Sequence, residues 1–131
     1  MAVTLGELAG FSVPSAVGGL AWAADAGPAT LYIALVCAGA GEGTILAGAQ
    51  WIALRDALPA LSARRWIAST VGAAGLAWSL GMLPSTLGDR LGRVPVFVLA
   101  PTLALGGTVL LLSIGSAQAL VLRAHVARRW W

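Results

Sequence analysis

The chain contains no lysine, one cysteine and one histidine, and only 10% of its 131 residues are charged. A soluble globular domain is about 25% charged. With 59% apolar residues and a mean hydropathy of +0.88, a soluble reading is excluded before any motif is sought. A single cysteine, Cys37, forms no intrachain disulfide, and it is expected to pack as a small hydrophobe. The single histidine, His125, stands among arginines near the C-terminal end. No His, Cys, Asp or Glu residues have metal-ligand spacing. No serine shares a helical turn with a base. Neither a P-loop nor a dinucleotide fingerprint is present. The expectation is a protein without catalytic residues, metal or cofactor, and so not an enzyme.

The few charges are Glu7, Asp25, Glu42, Arg55, Asp56, Arg64, Arg65, Asp89, Arg90, Arg93, Arg123, Arg128 and Arg129. Between them lie long uncharged intervals at 8–24, 26–54 (broken only by Glu42), 66–88 and 94–122. A bilayer-spanning helix needs about 20 mostly apolar residues. The four intervals therefore predict an all-α integral membrane bundle of four transmembrane helices. The first is the shortest and carries Pro14. A soluble four-helix bundle would show a polar stripe at helical period, and none of the intervals does.

The excess of arginine over acid could suggest nucleic acid. Arginine occurs only at the ends of apolar runs, however, with no basic face and no aromatic-basic interleaving, so nucleic acid is not expected. The placement is topogenic instead. Arg55, Arg64 and Arg65 lie between the second and third helices, and Arg123, Arg128 and Arg129 follow the fourth. Arg90 and Arg93 fall on the opposite side. Basic residues in short loops favour the cytoplasm, which predicts a multi-pass membrane protein with both termini cytoplasmic. The loops around Asp25 and residues 85–93 then face outward. The six tryptophans, among them Trp51 and Trp66, are expected to anchor at the headgroup layer. Ala21-Trp22-Ala23 has the small-x-small form of a cleavage site, but the early charge is Glu7, against a signal peptide.

The chain also repeats itself. Ala49-Gln50-x-x-x-Leu54-Arg55 recurs as Ala117-Gln118-x-x-x-Leu122-Arg123, at an offset of 68. Gly19-Leu20-Ala21-Trp22 recurs as Gly75-Leu76-Ala77-Trp78, and Ala63-Arg64-Arg65-Trp66 as Ala127-Arg128-Arg129-Trp130. This pattern predicts a single membrane domain of two tandem helical hairpins, residues 1–56 and 63–125, in parallel repeat. A longer outer loop near 84–93 would absorb the difference between the repeat offsets. Gln50 and Gln118 are then expected at matching depth, near a pseudo-twofold axis between adjacent second and fourth helices. There they could bond each other as structural glue.

Gly48-Ala49-Gln50-Trp51-Ile52-Ala53-Leu54-Arg55, followed by Arg65-Trp66-Ile67-Ala68 and a Gly-rich apolar helix, resembles a recurring group of small bacterial membrane proteins. That group carries a repeated G-x-x-Q-W-x-x-L-R motif. The resemblance covers residues 39–80 and, more loosely, 109–130, where Ala119 replaces the motif's tryptophan. It implies membrane class and no chemistry. If the pattern continued, a further helix would begin after Trp131. On a helix, Trp51 and Arg55 share a face, so the guanidinium can lie over the indole or reach lipid phosphate. Trp51, Arg55, Arg64, Arg65, Trp66 and Arg123 are the expected interface anchors.

Small residues supply packing surfaces at Gly39-x-x-x-Gly43 and Ala47, at Gly72, Gly75 and Ser79, and at Gly107, Gly115 and Ala119. These suit packing within the chain or self-association. Glu42 stands apart, 17 residues after Asp25 and 13 before Arg55, near mid-membrane. A carboxylate there costs at least about 2.5–3.5 kcal/mol. No arginine shares its depth, so Glu42 is expected to be neutral and to face another helix. Its partner would be a hydroxyl such as Ser69, Thr70 or Thr108, or a carbonyl. The candidate intramembrane polar site is Glu42, Gln50 and Gln118.

Two functions follow from these readings. The first is a structural or accessory membrane component, alone, as a homo-oligomer or inside a larger membrane complex. The second is a small oligomeric transporter or channel using Glu42 as a proton or cation site. The scattered hydroxyls make a poor conducting path.

Overall fold

The structure is a computed structural model that describes residues 2–126. It is all-helical: α1 spans Ala2–Ala23, α2 Pro28–Leu54, α3 Ala63–Leu91 and α4 Val96–Val126. Three of these are long and apolar enough to cross a bilayer: Pro28–Leu54, Ala63–Leu91 and Val96–Arg123. Helix α1 is shorter and carries Pro14 within it without a break.

The turns follow from local chemistry. Asp25 takes a left-handed conformation (φ 53°), which Asp tolerates better than most residues, and closes the 24–27 turn. Gly27 then caps α2, and Pro28 occupies its first turn, where a missing N–H is harmless. Ser62 caps α3, its hydroxyl accepting from the Arg65 amide at 3.5 Å.

The loop expected near 84–93 does not exist as such. Helix α3 runs through Pro84 to Leu91, and the connection to α4 is residues 92–95. The Ser85 and Thr86 hydroxyls bond back to the Met82 carbonyl at 2.9 Å each, so the polar residues in this turn are satisfied inside the helix. The difference in repeat spacing thus lies in the extension of α3 beyond Trp78.

Among the described residues the helices pack in chain order: α1 on α2, α2 on α3, and α3 on α4. Direct packing of α2 on α4 about a central axis is therefore not formed. Small residues decide this. A methyl group added at Gly43 would come within 2.8 Å of the Ala74 side chain, and one at Gly39 would collide with the Trp78 ring. The flattest face of α2 is thus occupied by α3. Nothing approaches Gly72, Gly75, Gly107 or Gly115 within contact distance, so the small-residue surfaces expected on α3 and α4 are not packed.

The interior lies along α2 and α3. Leu35, Ala38, Ala47, Leu61, Trp66, Ala73 and Ala74 form its apolar part. Helix α4 exposes large apolar side chains along much of its length, densest from Val96 to Leu112. Cys37 also faces outward and is not packed among the helices.

Candidate functional site

Polar side chains meet inside the bundle at two levels. The inner one is built where α2, α3 and α4 converge. The Gln118 side-chain amide donates to Gln50 Oε1 at 2.7 Å and to Thr70 Oγ1 at 3.2 Å. Thr70, fully buried, donates in turn to the Trp66 carbonyl at 3.0 Å. A chain of hydrogen bonds thus joins three helices. The two glutamines reach each other without backbone contact between α2 and α4, because each side chain is long enough to span half the gap beside α3. Thr70 is the member that sequence reasoning placed elsewhere, as a partner for Glu42.

Beside this network lies a small apolar cluster of Ala47, Leu61 and Trp66, with Trp51, Leu54, Leu58, Ile67, Val121 and Leu122 packed against it. Trp66 is only 2% exposed, so it is a core residue and not a headgroup anchor. Its indole N–H is buried and has no partner among the described residues. Ala47, which stands where the glycine of the G-x-x-Q-W-x-x-L-R pattern would be, is fully buried against the same cluster. Trp51 keeps a half-buried position: its N–H donates to the Leu61 carbonyl at 3.2 Å, and the Arg55 guanidinium lies 5.7 Å from its ring centre. Arg55 also approaches Asp56 at 3.7 Å, an exposed pair of small energetic weight. Arg64, Arg65 and Arg123 are exposed. Arg128, Arg129, Trp130 and Trp131 lie outside the described residues.

His125 has a role that its isolation in the sequence concealed. Its Nδ1 lies 3.0 Å from the Val121 carbonyl, one turn back on α4. Its Nε2 lies 3.0 Å from the Ala60 carbonyl in the α2–α3 loop. Both neighbours are acceptors. A neutral imidazole has one N–H and bonds one of them; only the imidazolium bonds both.

The second level is at Glu42, which is 9% exposed on the face of α2 between α1 and α3. The Trp78 indole N–H donates to its Oε2 at 2.9 Å. None of the expected hydroxyl partners is used. Ser69 and Thr70 bond the Trp66 carbonyl, and Thr108 bonds the Ala104 carbonyl. Trp78 is therefore a bundle-internal donor, unlike its repeat equivalent Trp22, which is 84% exposed. On the other side, α1 approaches through Gly10, where an added methyl would sit 3.4 Å from Glu42 Cγ. Gly6, one turn earlier, faces Ala49. The signal for this contact was present as Gly6-x-x-x-Gly10, the same pattern noted on α2.

Two apolar hollows flank Trp78. One, of about 470 Å³, is lined by Phe11, Pro14, Ser15, Gly18, Gly19, Leu35 and Trp78. The other, of about 290 Å³, lies between α3 and α4 beside Leu110. Among the described residues no three His, Cys, Asp or Glu side chains are grouped to hold a metal ion. No protein family matches the chain, and no curated protein or solved structure is significantly similar to it.

Proposed function

We propose that this chain is a multi-pass protein of a bacterial inner membrane. In this reading all four helices cross the bilayer, both termini are cytoplasmic, and the protein acts as a structural or accessory component without catalytic activity. The observation that supports it is the inner polar network. Gln50, Gln118 and Thr70 bond one another across three helices, and in a bilayer such bonds hold helices together instead of lining a path. The lipid-facing apolar surface of α4 suits a solvent of acyl chains or a neighbouring membrane subunit. Copurification from native membranes, followed by mass spectrometry, tests this. The expected outcome is a reproducible set of membrane partners or copies of the chain; recovery of a monomer without partners would remove the accessory reading.

One observation favours a second reading, in which copies of the chain move protons or cations through Glu42. Glu42 is 9% exposed as a residue, and only one of its carboxyl oxygens receives a hydrogen bond among the described residues. An intramembrane acid is by default a functional-site hypothesis. Reconstituted vesicles test this: a pH-driven flux abolished by Glu42→Gln supports it, and its absence in the wild type rejects it.

A further inference from the structure

We propose that His125 is a proton-operated clasp. Charged, its ring ties the last turn of α4 to the α2–α3 loop; neutral, it releases that end of α4. The proposal depends neither on the number of membrane crossings nor on any role for Glu42.

The ring stands between two acceptors. His125 is the one histidine of the chain, and it lies in the last turn of α4. A cation is favoured there, because the last carbonyls of a helix lack intrahelical donors. Nδ1 faces the Val121 carbonyl and Nε2 the Ala60 carbonyl, each at 3.0 Å. The neutral ring has a single N–H, which serves one of them. Its other nitrogen then turns a lone pair toward a carbonyl oxygen at hydrogen-bond distance, a repulsive contact. Turning the ring over puts carbon where each nitrogen was. No tautomer or flip of the neutral ring therefore satisfies both carbonyls, and the imidazolium satisfies both at once.

The acceptor on the loop is held in place. Leu61, next to Ala60, is 4% exposed and packs with Ala47 and Trp66. Its amide donates to the Leu58 carbonyl at 2.9 Å, and its carbonyl accepts from the Trp51 indole at 3.2 Å. The Ala60 carbonyl thus cannot easily turn away from an unprotonated ring. On the other side of the clasp, α4 packs on α3 alone among the described residues. Gln118 and His125 are the two α4 side chains there that hydrogen-bond outside their own helix. They lie two turns apart on one face. Opening the His125 bond leaves the segment beyond Gln118 held only by the packing of Val121 and Leu122 on the apolar cluster.

The charges around the ring set the direction of the response. Arg123 lies on α4, Arg55 and Asp56 in the loop, and Arg64 and Arg65 in the first turn of α3; Arg128 and Arg129 are outside the described residues. Asp56 is exposed and approaches Arg55, and among the described residues no carboxylate pairs with His125. The four described arginines oppose a further positive charge, but all are exposed and screened by water and salt. The two carbonyls touch the ring and are not screened. The docked form needs the proton, so acid favours docking and base opposes it. The change falls in the range where histidine ordinarily titrates, around pH 6.5.

The test uses the full chain, without a histidine tag, in lipid discs. Because the chain has one histidine, ¹⁵N-histidine labelling gives a single ring to observe. Two hydrogen-bonded ring N–H signals are expected at about pH 5.5 and at most one at about pH 8. Fewer than two at the lower pH would overturn the clasp. The second arm compares thermal stability with His125→Gln, which keeps a side-chain donor and does not titrate. Acidification should raise the melting temperature of the wild type about 2–4 °C more than that of the variant. An equal response in both proteins would overturn the proposal. Added salt separates the two possible sources of the effect. If the carbonyls hold the ring, screening the arginines preserves or enlarges the wild-type excess. Its collapse in salt would mean an ion pair instead, and would also overturn the clasp.

Discussion

Trp66 and Trp22 show how far the fate of one residue type depends on its neighbours. Both sit at the ends of apolar helices, but Trp66 is 2% exposed and Trp22 84% exposed. Truncating a buried tryptophan removes its contacts and leaves a cavity, at a cost of about 3–5 kcal/mol. Trp66→Ala should therefore lower thermal stability in detergent markedly, while Trp22→Ala leaves it nearly unchanged. Similar losses from both would return Trp66 to the headgroup layer. Gly39 makes a sharper case. Any Cβ there collides with the Trp78 ring, so Gly39→Ala should displace the indole and break its bond to Glu42. Overpacking of this kind costs about 1–3 kcal/mol. The shift should be visible as a change in Trp78 fluorescence in a chain where the other tryptophans are replaced by phenylalanine.

At the level of the helices, the bonds between elements carry more information than the elements themselves. Gln50 and Gln118 link α2 to α4 past the intervening α3. A double-mutant cycle with Gln50→Leu and Gln118→Leu should give a coupling energy of about 0.6 kcal/mol, with an upper bound near 1.7 kcal/mol, as for other intramembrane hydrogen bonds. Zero coupling would mean that the amides do not bond. Thr70→Val should reduce that coupling, because Thr70 holds the Gln118 amide from α3. The pairing itself was legible from the repeat, through two glutamines at one offset. The intervening helix was not, because repeat spacing says which positions correspond and is silent on which faces are flat enough to pack.

For the whole molecule, the decisive quantity is the number of crossings. Three helices meet the length and apolarity of a span, and α1 is the fourth in the proposed topology. In a Cys37→Ala background, single cysteines at Thr4 and Ser62 should react with a membrane-impermeant thiol reagent from one side. A cysteine at Ala26 should react from the other. Reaction of Thr4→Cys and Ala26→Cys from the same side would reduce the chain to three crossings.

The linear order of residues alone determines the all-helical class, the apolar stretches and the placement of arginine at their ends. These depend on summed transfer free energies along the chain, which need no knowledge of neighbours. It also singles out Glu42, because one acid in a long uncharged run is conspicuous wherever the run packs. Only the tertiary structure decides that Trp78 bonds Glu42, that Trp66 is core, that His125 bridges α4 to the α2–α3 loop, and that α3 separates α2 from α4. Each of these turns on which faces of two helices come together. In lipid that choice is made by close fit between small residues and by a few hydrogen bonds more than by apolarity, which is nearly uniform around α2 and uneven chiefly on α3.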